Sequence, residues 1–178
     1  WGDTHFADSL AHALRAAGQE VVIDRRDAFD RVTGRHDDVN LVLRGLAPYW
    51  PTPENVTLGW VISHPDQLSA TEAATYDRVL VASVPWAAEQ TRRWGFRVET
   101  LLQATDHRLF HPDRAVPDTG HPVLFVGSSR GVHRQMVRDA VEARLPLSVY
   151  GSDWQKFLPR QFLKAPYLPN GEVGAAYG

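Results

Sequence analysis

The sequence predicts an α/β fold with a mainly parallel sheet in each of two units. Three observations carry that expectation. Short apolar, β-branched runs alternate with amphipathic helical runs, glycine, proline and capping residues punctuate them, and a polar, proline-containing stretch over 106–122 divides the alternation in two. The composition agrees with a globular chain: 178 residues, 43% hydrophobic and 22% charged, at a net charge of −2, which excludes disorder and collagen-like structure. No apolar run reaches the roughly 18 residues that would span a bilayer, and no basic, apolar leader opens the chain. The absence of cysteine excludes disulfide frameworks, thiolate zinc sites and cysteine nucleophiles, and with it goes the expectation of a reducing, cytoplasmic setting.

The first helix reads from Asp3, where Phe6, Leu10, Ala13, Leu14 and Ala17 recur at helical spacing and Gly18 supplies the stop. The run 20–24 (EVVID) reads as a strand. Because a parallel sheet expects a strand ahead of its first helix, one is expected to precede Trp1. Further strands are expected at 38–44, 56–63, 78–82 and 98–102. Between them, the capping box Ser69-Ala-Thr-Glu72 opens a helix over 69–76, and Ser83 with Pro85 opens another that Gly95 ends. The second unit repeats the logic, with a strand at 123–126, a glycine-bearing loop, a helix over 132–144, a strand at 147–150 and a short helix over 170–178. The domains expected are therefore 1–112 and 122–178, joined by a linker at 113–121.

Charge separates the two. Residues 1–121 carry a net −5 and residues 122–178 a net +3. A modest basic excess in a short segment suits a small anion such as a nucleotide diphosphate better than a DNA backbone, so no nucleic-acid partner is expected.

The most informative local pattern is VLFVGSSRGVHR, 123–134. A buried strand runs into Gly127, Ser129 and Arg130 and then into a helix, whose free amides and macrodipole attract phosphate. Arg130 and Arg134 add fixed positive charge with planar donor forks. The pattern is neither a Walker loop nor the three-glycine dinucleotide fingerprint, and its plain alternative is a glycine turn with solvated arginines. A second candidate is Ser63-His64-Pro65-Asp66, directly after an apolar strand. Ligands bind beyond the carboxyl ends of parallel strands, and a histidine there can hold a sugar hydroxyl or move a proton; the alternative is a turn histidine satisfied by backbone. The third is Trp1-Gly2-Asp3-Thr4-His5, where Gly2 allows close approach of a ligand to the helix start, unless Asp3 or Thr4 is simply the N-cap. Other chemistries find no pattern. There is no HExxH, no GxSxG and no spacing that singles out a carboxylate pair, His107 and His111 read as a solvated turn, and the tryptophans read as packing.

Taken in order, WGDTHFADSLAHALRAAGQEV (1–21), WVISHPD (60–66), LLQATDHRLFHP (101–112), LFVGSSRGVHR (124–134) and LSVYGSDW (147–154) resemble the retaining, group-1 (family 4-like) bacterial glycosyltransferases. They resemble especially the branch of spore-maturation glycosyltransferase-like proteins. The TDxxxFxP element at 105–112 is the most telling, and YLPNGEVGAAYG (167–178) resembles the approach to that family's donor-binding acidic motif. The resemblance implies Rossmann-like units in a GT-B architecture, with the acceptor on the first domain, a nucleotide-sugar donor on the second, the reaction in the cleft, and no metal or other cofactor. It implies a catalytic or cleft role for His64 and a donor diphosphate clamp of Gly2, Gly127, Ser129, Arg130 and Arg134. Asp3, His5 and Asp66 fall on the acceptor or cleft side. The family's glycine-arginine and lysine-glycine pair is replaced here by Gly127-Ser128 and His133-Arg134. Its paired glutamates would come after Gly178, so the second domain is expected to be truncated. The acceptor is left open. A GT-B epimerase or phosphorylase, or a non-catalytic carbohydrate- or nucleotide-binding module, are the competing readings.

Overall fold

Helix α1, Gly2–Ala16, opens the chain in the computed structural model, which describes residues 2–114 and 121–177. Its stop is the expected one: Gly18 has φ +88°, and the Gly18 and Gln19 amides turn back to the Arg15 and Leu14 carbonyls. The strand expected at 20–24 does not form. Val22 stands exposed, and no described strand pairs with this segment. β-propensity needs a partner backbone to become a strand, and here the segment leads instead into single turns at Arg26–Ala28 and Val32–His36.

Four strands follow: β1 (Val39–Arg44), β2 (Val56–Val61), β3 (Arg78–Val81) and β4 (Val98–Thr100). They pair in that order, all parallel, with Arg44, Val61, Val81 and Thr100 level across the sheet. Their carboxyl ends therefore share one edge. Helix α2 (Ala70–Ala73) is shorter than the sequence suggests, though Ser69 caps it as expected, accepting from the Glu72 amide at 3.1 Å. Helix α3 (Val84–Trp94) begins at the Ser83 cap and ends at Gly95, φ +78°. Val61, Val79, Val81 and Val98 bury one sheet face against Leu68, Ala73, Tyr76 and Ala87. The Tyr76 ring lies flat on Gly59, where a Cβ would overlap it. Trp60 belongs to the other face, meeting Phe6 of α1 edge-on at 5.3 Å and donating to the Leu101 carbonyl at 2.8 Å.

The chain divides into two compact units, Trp1–Ala104 and Thr105–Gly178. Residues 105–112, which the sequence reading placed with the first unit, group with the second because Gly174 rests on the Leu109 carbonyl so closely that a Cβ would strike it. The linker expected at 113–121 lies mostly outside the described residues.

The second unit is a three-stranded parallel sheet, β5 (Val123–Val126), β6 (Leu147–Tyr150) and β7 (Leu163–Ala165), with helices α4 (Gln135–Glu142) and α5 (Asn170–Tyr177). The sequence reading lacks β7, whose three residues carry no pattern of their own. Helix α4 starts later than residue 132 because Arg130 (φ +55°) and Gly131 (φ +76°) hold the chain in left-handed turns. Trp154, fully buried, centres a separate core with Val137, Val149 and Leu158. Both units thus have the mixed α/β, parallel-sheet organisation expected of Rossmann-like units. Among the described residues no helix is long and apolar enough to cross a membrane.

Candidate functional site

In the first unit, the carboxyl edge of the sheet gathers residues far apart in sequence. β1 passes into Gly45 and β2 into Ser63 and His64. A Cβ at Gly45 would lie 3.1 Å from Asp3 Oδ2 and 3.5 Å from Ser63 Oγ, so the first turn of α1 overhangs this edge. Two of the sequence candidates, the 1–5 segment and the 63–66 segment, thereby meet. Helix α1 already includes Gly2, so Asp3 sits inside the first turn, not at the N-cap. His5 is exposed in the same turn, and Asp66 is exposed in the 3-10 turn Pro65–Gln67.

His64 adopts φ 48°, ψ 51°, a left-handed conformation that costs a non-glycine residue about 1–2 kcal/mol. Its ring Nδ1 is buried with no hydrogen-bond partner among the described residues. No backbone group among the described residues satisfies that nitrogen, which is enclosed by protein atoms.

Beneath this rim lies a buried ion pair that sequence reasoning missed. Arg44 donates to Glu72 through Nε at 2.7 Å and Nη2 at 3.0 Å, with side-chain exposures of only 2% and 4%. Arg44 also donates to the Gly45 and Gln67 carbonyls. The Tyr76 hydroxyl donates to Glu72 Oε1 at 2.8 Å, and the Tyr49 amide does so at 3.3 Å. Burial pushes the Glu72 carboxyl up, yet the hydrogen bonds from Arg44, Tyr76 and the Tyr49 amide outweigh it and hold the group below the usual carboxylate range. The Arg44 guanidinium is raised by its hydrogen bond to Glu72, and the Tyr76 hydroxyl is raised, first by burial and then by Glu72. The available signal was an arginine closing an apolar strand, 39–44, against a capping-box glutamate. The box explains the Glu72 amide but not where its carboxylate goes.

In the second unit, the turn after β5 is bolted to the turn after β6. The Gly127 amide donates to Tyr150, the Ser129 amide to Ser152, and Trp154 Nε1 to the Gly127 carbonyl at 2.7 Å. At Gly151 (φ +140°) a Cβ would overlap the Gly127 carbonyl, so the two backbones touch directly. Ser129 is fully buried. Its hydroxyl donates to the Asp153 carbonyl at 2.7 Å and accepts from the Gly131 amide at 3.1 Å, so it shapes the loop from within.

What the loop leaves open is the start of α4. No side chain caps it, and among the described residues no carbonyl accepts from the Gln135 or Met136 amides. Arg134 occupies the N-cap position, half-buried, and Arg130 is exposed on the preceding turn; among the described residues neither side chain makes a hydrogen bond or ion pair. His133 lies between them, stacked on Phe157 at 5.3 Å with Nε2 buried and unpartnered. Sequence reading noted His133 only as a replacement within the family pattern. A turn of this kind offers two amides and two guanidinium groups to an anion.

A serine-histidine pair also occurs in this unit. His121 Nδ1 lies 2.9 Å from Ser148 Oγ, and Nε2 lies 3.0 Å from the Tyr150 hydroxyl. Ser148 is only 3% exposed, so the pair closes a buried polar gap and presents no accessible nucleophile. Among the described residues, no three histidine or carboxylate side chains converge on a metal position. Compared with known proteins, the chain matches no family model, no curated protein and no solved structure.

Proposed function

We propose that this chain contributes an acceptor-side unit and a donor-side unit to a retaining glycosyltransferase of GT-B type, acting in the cytoplasm. The substrate would be a nucleoside-diphosphate sugar and the acceptor a hydroxyl-bearing molecule. The observation that carries the reading is the uncapped start of α4, opening from the carboxyl end of β5 with Arg134 at its N-cap. In this reading the departing diphosphate lies against the Gln135 and Met136 amides while Arg130 and Arg134 offset its growing charge. Charge-assisted hydrogen bonds of this kind are each worth about 1.5–3 kcal/mol, and donors aimed at developing charge lower the barrier most in a water-poor site.

On the acceptor side, the half-buried His64 ring orients a hydroxyl group at the sheet edge, with Asp3 and Ser63 packed at Gly45 forming the wall. His5 and Asp66 lie on the exposed margin of this edge. The sugar's bond to the diphosphate breaks, a bond to the acceptor oxygen forms, and the acceptor proton leaves with the nucleoside diphosphate or to solvent. The test is incubation of the full-length protein with a panel of nucleotide-sugars, following nucleoside diphosphate release and, in parallel, binding of the nucleoside diphosphates themselves. Release with one donor supports the reading. Neither release nor binding with any donor overturns it.

A further inference from the structure

We propose that Arg44 is a positioning residue for His64, its buried guanidinium holding both the turn that follows the histidine and the neighbouring strand end at Gly45. Its donors reach three elements at once: the Glu72 carboxylate on α2, the Gly45 carbonyl after β1, and the Gln67 carbonyl at the end of the 3-10 turn, the last at 3.2 Å. The Gln67 amide in turn donates to the His64 carbonyl at 3.0 Å, so two hydrogen bonds separate the guanidinium from the histidine backbone. On the other flank, Gly45 is the surface against which Asp3 and Ser63 pack. Arg44 thus holds the wall and the turn together.

Three features make this more than core filling. A buried ion pair is a poor source of stability, because desolvation offsets most of its attraction and apolar residues of equal volume often serve as well. What a guanidinium supplies, and an apolar group does not, is directed donors at fixed angles. Next, the histidine it serves is left-handed, a conformation that relaxes unless the surrounding backbone is held. Finally, the pair itself is anchored, since Tyr76 and the Tyr49 amide fix Glu72 and Gly59 seats the Tyr76 ring.

The consequence for sugar transfer rests on the reading proposed above, whereas the primary test does not. Amide hydrogen exchange is measured in the native protein, in Arg44→Lys, and in the double variant Arg44→Met/Glu72→Leu, which removes both charges while retaining side-chain volume. Lysine keeps the charge opposite Glu72 but cannot reach both carbonyls. In either folded variant the Gln67 amide is expected to exchange about ten-fold faster or more, while the Ala82 amide, which donates to Val61 across the sheet, changes by less than about two-fold. A purely structural role would accelerate both amides together, and that result, or an unchanged Gln67 amide, overturns the proposal. If neither variant folds, the pair is a stability element and the proposal falls as well. Where transfer is measurable, Arg44→Lys is expected to lower kcat about ten-fold with little change in the donor KM. A selective exchange effect in a protein that transfers no sugar would retain the positioning role and reject the transferase reading.

Discussion

Arg130 offers the simplest examination of the anion seat at the level of a single side chain. It is exposed, makes no hydrogen bond among the described residues, and lies five residues ahead of Gln135, where α4 begins. Arg130→Ala is expected to weaken binding of a nucleoside diphosphate by about ten-fold or more, in line with the loss of one charge-assisted hydrogen bond. The thermal midpoint should scarcely move, since surface substitutions typically change stability by under about 0.5 kcal/mol. Calorimetric titration with the diphosphate and a melting scan would check the two halves. An unchanged affinity would remove Arg130 from the seat. Ser129 illustrates the opposite case, because its serine identity suggested a ligand contact while its burial commits the hydroxyl to Asp153 and Gly131. Nothing adjacent in sequence distinguishes the two. The difference is made by residues 151–154, which arrive from another strand.

Elements whose signals are local were legible, and those whose existence depends on a partner were not. Ser69, Ser83 and Gly95 mark helix ends through chemistry within four residues, and each does so in the structure. The runs at 39–44, 56–61, 78–81, 123–126 and 147–150 are apolar enough to demand burial and become strands. By contrast 20–24 has the right residues and no neighbour, while β7 has a neighbour and only three undistinguished residues. The Arg44–Glu72 pair is the most consequential link of this kind, joining β1 to α2 across 28 residues. Its pH dependence has a definite sign. The Glu72 carboxyl is held below its ordinary range in the folded chain, so its contribution is complete above the unfolded value and is lost as pH falls through the folded one. Urea midpoints are therefore expected to be flat from neutral pH down to the carboxylate range and to drop below it. Glu72→Gln should lower the midpoint at neutral pH, by about 3–5 kcal/mol in stability for an uncompensated buried guanidinium, and should flatten the acid limb. An acid limb of undiminished slope in that variant would assign it to other carboxylates.

Over the whole molecule, the charge division read from sequence coincides with a division of labour between the proposed sites. The acidic first unit presents an imidazole, a hydroxyl and a carboxylate at its sheet edge, and the second presents amides and guanidinium groups. Nucleoside diphosphate added to isotope-labelled protein is thus expected to shift amide resonances over 127–136 while leaving 63–66 unperturbed, and raising the salt concentration should weaken the effect. Shifts centred on His64 instead would reverse the assignment of the two units. The fold class and the approximate place of each site could be read from sequence because parallel strands put all their carboxyl ends on one edge. Which groups remained free at those edges could not, since that is decided by contacts between turns.

One such contact reaches further. Gly151 and Gly127 meet backbone to backbone, with Ser128, Ser129, Ser152 and Trp154 stitched across them. Neither loop can be exchanged alone without wedging the other open, so any attempt to retune the proposed anion seat by grafting must transplant both as a single cassette, and variation confined to one should mostly yield misassembled protein.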